Sequence, residues 1–355
     1  MSIFKKFRDP LLSFAEDKAK YNLRFPLKKT GNVLNNYTRG DFIVIGGRKT
    51  SGKSSFILNN YVISPIIQKL AAKKEGKPFD LKILYLNTRR NAKTTIERMI
   101  VNYISQKNGG TKIGVPSLYG FDGNHAKITS VKAKSIISSA MNVFEKFAEK
   151  GILTTISSRK SMYEVDNIIR ETMEEYGEYD EETGVFTYLE EHEDLIPIVA
   201  IDDITGIFTE SGSNNIRNEN AHQLAIKLKS LAKIYNIIIV LAVPSAQVYI
   251  RAAGHRSTLE EVAPYGMYAD RVVILHNPME TYENQMMGYQ TNDFTNQKTG
   301  INYLRTIFIA SNYMGASGIY FGCFLFPENG FMIELPPGED IEGLDHFHER
   351  VRDNN

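Results

Sequence analysis

The segment Gly47-Arg48-Lys49-Thr50-Ser51-Gly52-Lys53-Ser54 has the residue types and spacing that most directly imply chemistry. Two glycines frame four polar residues, and a lysine and a serine follow at once. Glycine adopts backbone angles that other residues resist, so a loop pinned at Gly47 and Gly52 can turn successive N–H groups into one concavity. Phosphate oxygens suit such a concavity, above all where a helix opens directly behind it. The pattern is that of a Walker A loop. Its expected ligands are ATP and Mg²⁺, with Gly47, Arg48, Lys49, Thr50, Ser51, Gly52, Lys53, Ser54 and Ser55 forming the cradle. Within it, Lys53 should reach the β- and γ-phosphates, and the Ser54 hydroxyl should ligate the metal.

A second constellation is Ile198-Val199-Ala200-Ile201-Asp202-Asp203, an apolar run closed by two carboxylates. Neighbouring residues of a strand face opposite ways, so packing alone would bury one of these carboxylates at high cost. A metal site explains the pair better than a surface turn after an edge strand. Asp202 is the expected Walker B residue, holding Mg²⁺ through water, and Asp203 the expected assistant in catalysis.

The elements that must position these groups follow from the apolar runs. Phe42–Ile45, Lys82–Leu86, Ile152–Ile156, Leu195–Ile201, Ile237–Ala242 and Arg271–Leu275 read as strands. Helices are expected over Ser54–Leu70, Ala92–Gln106 and Asn218–Tyr235, the last with Ala221, Leu224, Leu228, Leu231 and Tyr235 on one face. Solidly apolar strands separated by helices indicate an α/β fold, a mainly parallel sheet flanked by helices on both faces. After Gly300 the pattern changes to Tyr303–Ala310, Gly318–Phe326 and Phe331–Leu335. The last two are joined through Pro327-Glu328-Asn329-Gly330 as an antiparallel C-terminal hairpin.

Residues 1–38 read as an N-terminal arm, with Leu11, Leu12, Phe14, Ala15 and Ala19 on a helical stripe that packs on its own domain or on a neighbouring subunit. Residues 39–337 form the main domain. A Gly-rich loop is expected over Asn108–His125. About 171–194 lies an insertion rich in carboxylates and without Lys or Arg, read as a solvated acidic hairpin or helix end, or as a partner-binding or DNA-repelling surface. Residues 338–355 read as a polar, loosely held tail.

With 42 Lys and Arg against 41 Asp and Glu, the chain is no general polycation, although a local basic surface remains open. The single cysteine, Cys323, excludes an internal disulfide framework and fits a reducing cytoplasm. No apolar stretch is long enough to span a bilayer, so no membrane association is expected.

Phe25-Pro26, Gly31, Leu34 and the run from Gly40 through Arg48 into Ser51–Phe56 resemble the entry to the ATPase domain of DnaB-type replicative helicases, within the RecA-like group. The likeness continues through Ile83–Leu86, Ile201–Asp203, Leu228–Lys233, Gln247, Thr258–Glu261 and Ala269–Val273. It spans roughly 23–335 and is nearest to bacteriophage-type members. The resemblance implies a RecA-like core, a homo-oligomeric, usually hexameric ring with ATP bound between subunits, and single-stranded DNA through its centre. Replisome proteins are implied as further partners. It makes Gln247 the sensor that couples the γ-phosphate to the DNA side.

Three positions depart from that family's pattern. The place of its catalytic glutamate falls on Thr88, which is no general base at neutral pH; Glu97 lies too far along the next helix, leaving Asp203 as the nearest carboxylate in sequence. The strand end expected to deliver a Lys and an Arg to a neighbouring subunit reads Ala310-Ser311-Asn312-Tyr313-Met314-Gly315, without a cation, and Arg305 lies several residues earlier. The DNA-gripping loop falls near Ala263-Pro264-Tyr265-Gly266, also without its arginine; Arg251, His255 and Arg256 could supply the charge. The leading expectation is a DnaB-like ATPase and DNA-replication motor. The alternatives are a degenerate paralogue that binds ATP and regulates a helicase without unwinding, and a RecA-like recombination ATPase.

Overall fold

Strands buried on both faces need apolar residues at every position, and this chain supplies them. In the computed structural model, which describes residues 23–108, 113–119, 131–208, 218–245, 262–280 and 283–353, Phe42–Gly47 (β1), Leu81–Asn87 (β2), Ile196–Asp202 and Arg271–His276 are buried along their whole length. Together with Leu153–Ile156 (β3) and Ile238–Pro244 they form a parallel array. Calling Ile196–Asp202 β4, Ile238–Pro244 β5 and Arg271–His276 β6, the sheet continues antiparallel into Leu304–Asn312 (β7), Ile319–Phe326 (β8) and Phe331–Glu334 (β9). The nine strands run β9-β8-β7-β6-β1-β5-β4-β2-β3. The architecture is the expected one: a mainly parallel sheet between helices, with an antiparallel hairpin at its C-terminal edge.

Strand alternation divides the core into two layers. Ile43, Ile45, Ile83, Tyr85, Ile198 and Ala200 face one side; Phe42, Val44, Leu84, Leu86, Val199 and Ile201 face the other. On the first side lies α1, which begins as α-helix over Lys53–Ile57, widens to a π-helix over Leu58–Ile63 and continues as α-helix over Ser64–Lys74. Beside it packs Ala92–Lys107 (α2), capped by Asn91, whose side chain accepts the Thr94 amide at 2.8 Å. The second side is covered by Met162–Glu174 and Asn218–Ile234.

Two long helices between β2 and β4 lie where the sequence reading placed none. Val131–Glu149 (α3) packs Ala140, Phe144 and Phe147 into the first layer. Met162–Glu174 (α4) opens with a reciprocal capping box between Ser161 and Glu164 and buries Val165, Ile169 and Met173. The acidic insertion is the end of α4 followed by a hairpin of Gly177–Asp180 and Val185–Tyr188. Its carboxylates face solvent while Phe186 packs on Tyr235, ring centroids 5.0 Å apart.

The segment expected to be a loose tail instead carries a helix, Ile341–Asp353. The physical reason is Phe347, which is buried beside Tyr289, Phe294 and Phe324 in a small cluster of its own. The N-terminal stripe from Leu11 to Ala19 lies outside the described residues. Among the described residues no helix is long and apolar enough to cross a membrane.

Candidate nucleotide site

The β1-to-α1 turn is the expected phosphate loop, and its backbone explains the glycines. Gly47 has φ 145° and Gly52 φ 102°, with Thr50 also positive at 69°. A Cβ on Gly47 would stand 2.4 Å from the Leu275 carbonyl oxygen and 2.5 Å from the Ser51 hydroxyl, so the loop closes on β6 only with glycine there. The Ser245 amide at the end of β5 donates to the Gly47 carbonyl at 3.0 Å, and Arg305 of β7 donates Nε–H to the Thr50 carbonyl at 3.2 Å. The Lys53 ammonium lies inside the loop, donating to the Gly47 and Arg48 carbonyls at 2.6 Å each.

Sheet order brings the second motif to the same edge. β4 pairs with β5, the neighbour of β1, and its last residue, Asp202, is level with Asn87 at the end of β2. The Ser54 hydroxyl donates to Asp202 Oδ1 at 2.8 Å, and the Tyr85 hydroxyl donates to Oδ2 at 3.3 Å. Burial, reinforced by the Asp202 charge, pushes the Tyr85 phenol well above its usual range, so it remains a donor. A hydroxyl and a buried carboxylate in direct contact at the floor of a phosphate loop form a hard oxygen donor set that fits Mg²⁺. Ser54 and Asp202 would hold that ion, directly or through water, where it would offset charge on the phosphate oxygens.

Asp203 has a different occupation. Its Oδ1 accepts the Thr205 amide at 2.9 Å and the Thr205 hydroxyl, capping the short helical turn Ile204–Gly206, and its Oδ2 pairs with Arg89 at 3.1 Å. Thr88 is equally committed: its hydroxyl donates to the Asp203 carbonyl at 2.6 Å, and its side chain fills the space that Gly206 leaves open. We therefore expect Asp202→Asn to weaken Mg²⁺-dependent nucleotide binding by about 10–100-fold. Asp203→Asn keeps a capping oxygen and loses only a pair with the exposed Arg89, worth at most about 1 kcal/mol. Nucleotide titrations with and without Mg²⁺ on both variants check this; equal losses would undo the assignment of Asp202 as the metal residue.

Between the loop, β2 and the C-terminal hairpin lies a cleft of about 450 Å³. Leu325 and Pro327 form its apolar wall, and Lys49, Lys53, Arg89, Arg90, Arg98 and Arg305 reach it against only Asp202 and Asp203. Arg90 stands 3.9 Å from Asp202 Oδ2, and Arg98 donates to the Ser55 hydroxyl at 3.3 Å. Burial and the nearby Arg90 charge hold the Arg98 guanidinium below its ordinary range. Sequence reasoning did not single out Arg90 or Arg98. The cap at Asn91, which starts α2 just after Arg90, and the eight residues between the two arginines were the only hints that both return to the loop.

With this geometry in view, comparison with solved structures is decisive for the fold. The chain superposes on the ATPase domain of G40P with a TM-score of 0.64 at 14% identity, covering 93% of this chain and 99% of that one. A DnaB-like replicative helicase, described with its interactions with primase, gives 0.63 at 14% identity over 92% of this chain and 68% of that one. The fold is that of a DnaB-type, RecA-like ATPase domain. No family model matches the sequence, and no curated protein does.

The DnaB-type fold locates the remaining expectations. Glu97 does not line the cleft; it accepts the Tyr119 hydroxyl and lies 3.9 Å from Lys93. Ala310–Gly315 lies at the end of the strands opposite the phosphate loop, since Asn312 pairs with Arg271 at the start of β6. Arg305, several residues before that strand end, braces the phosphate loop of the same chain and also donates to the Asn302 carbonyl at 2.9 Å. Tyr265–Tyr268 forms a short helix with Tyr265 and Gly266 buried. Gln247, Arg251, His255 and Arg256 lie outside the described residues.

Proposed function

We propose that this chain is a DnaB-like, ATP-dependent motor that acts on single-stranded DNA as a homo-oligomeric ring, hexameric as the resemblance implies. The contact between the Ser54 hydroxyl and Asp202 at 2.8 Å carries the reading, because it joins the two phosphate-and-metal motifs into one site. In this reading Lys53, Ser54 and Asp202 hold Mg·ATP. Gln247 couples the nucleotide to the DNA-side loop, and Arg251, His255 and Arg256 meet DNA phosphates. With so few cations per subunit, DNA affinity should depend on assembly and fall steeply with salt.

A second reading rests on a specific observation. Thr88, where the resemblance puts the general base, has its hydroxyl bonded to the Asp203 carbonyl, while the Asp203 carboxylate is itself engaged. That favours a chain that binds ATP, assembles and regulates a true helicase without fast turnover. The ATPase rate of the purified chain, with and without single-stranded DNA, separates the two. DNA-stimulated hydrolysis supports the motor. Tight ATP binding with negligible hydrolysis, in samples where rings are seen by electron microscopy, supports the regulator.

A further inference from the structure

We propose that Arg90 and Arg98 form a same-subunit clamp on the terminal phosphate of the bound nucleoside triphosphate. The proposal rests on the nucleotide-site reading above and adds the source of the charge at the far end of the phosphates. The two residues come from different elements, Arg90 from the turn after β2 and Arg98 from α2, yet both reach the cleft beside the metal pair. Arg90 lies 3.9 Å from Asp202, and Arg98 bonds the hydroxyl of Ser55, the residue after the metal-binding serine. The hairpin turn lies close by: a Cβ on Gly330, which has φ +71°, would lie 3.4 Å from the Arg98 Nη2 and 3.2 Å from the Ser55 hydroxyl. Asn102, one turn along α2, fastens the same turn by donating to the Asn329 carbonyl at 3.3 Å.

Charge balance points the same way. Six cationic side chains face the cleft against two carboxylates, Asp203 paired with Arg89 at 3.1 Å and Asp202 with Arg90 at 3.9 Å, so positive charge remains in excess. Guanidinium groups crowded in this way, with Arg98 opposed by Arg90, gain an opposite charge when a triphosphate enters. The strand end 310–315 carries no cation that a neighbour could offer. A clamp in the binding subunit takes over that task, and it distinguishes ATP from ADP without an adjacent subunit. The loop amides serve the inner phosphates of either nucleotide, and the Lys53 ammonium spans the β-phosphate and, in ATP, the γ-phosphate.

The test titrates the full chain with AMP-PNP and with ADP, each with Mg²⁺, by calorimetry. Arg90→Ala and Arg98→Ala should each weaken AMP-PNP by about 10–100-fold. ADP should stay within about threefold, as should both ligands in Lys93→Ala, which removes a nearby surface charge. Should Arg98→Ala fail to fold, Arg98→Gln and Arg90→Ala give the same reading. Equal losses for the two nucleotides, or none, overturn the clamp. Discrimination that disappears on dilution to single chains, checked by sedimentation, also overturns it. Lys53→Ala separates the two levels: if it leaves both affinities intact, the nucleotide site itself is misplaced; if it alone weakens binding, only the clamp fails.

Discussion

Lys53→Ala should weaken ATP binding by about 100-fold or more and remove whatever hydrolysis the chain performs. The Lys53 ammonium is buried within the phosphate loop, where it donates to the Gly47 and Arg48 carbonyls. A phosphate oxygen is a stronger acceptor than either carbonyl, because it is charged and the cleft is partly shielded from water. A hydrogen bond to a charged group contributes roughly 1.5–3 kcal/mol, and an ammonium that spans two phosphates makes more than one. Two such bonds give the expected factor. The variant also leaves two loop carbonyls without that donor, so its thermal unfolding should be recorded beside the titration. ATP affinity within about threefold of wild type, in a variant that unfolds at the wild-type temperature, would falsify the role.

The same residues show what was legible in the sequence. The phosphate loop was readable because it is a local pattern: strand, two glycines, lysine, serine, helix. Asp202 was readable because a carboxylate at the end of a solidly apolar strand has few packing explanations. The sheet was readable for the same reason, since β1, β2, β4 and β6 are buried throughout and their sequences show it. The helix Met162–Glu174 was overlooked although its capping box, Ser161 with Glu164, and its Val165, Ile169, Met173 spacing stand in the sequence. The helix Val131–Glu149 also carries a periodic stripe, but serines and β-branched residues dilute its local helix preference.

The rest depended on distance in the chain. Nothing near Arg98 announces that it will bond Ser55 beside the turn at Gly330, more than two hundred residues later. Nothing near Thr88 reveals that its hydroxyl is taken by the Asp203 carbonyl. The tail helix was unreadable because Phe347 is an isolated aromatic among polar residues until Tyr289, Phe294 and Phe324 give it somewhere to pack. Local motifs identify the ligand chemistry; the partners that tune it are assembled by tertiary contact.

At the opposite end of the strands from the phosphate loop, Arg271→Met should cost about 3–5 kcal/mol of stability, the range for removing one partner of a buried ion pair. Arg271 is the largest fully buried side chain described, and it pairs with the equally buried Asp41 at 2.6 Å. It also donates to the Asn36 carbonyl at 3.1 Å and to the Thr38 hydroxyl at 2.7 Å, tying the segment before β1 to the start of β6. Methionine retains much of the volume, so the loss reports charge and hydrogen bonding more than a cavity. The pH dependence has a defined sign. Burial pushes the Asp41 carboxyl up to about 6 even against the pull of Arg271. A carboxyl raised in the folded state stabilises in its protonated form, below the ordinary range of the unfolded chain, and that contribution is lost as pH rises through the folded value. Without the guanidinium the carboxyl moves higher still, so the deficit of Arg271→Met should be larger near about pH 8 than near about pH 5. Denaturant unfolding of both proteins at the two pH values measures it. A deficit that is flat with pH, or below about 1 kcal/mol, would mean that Asp41 carries no buried charge for Arg271 to offset.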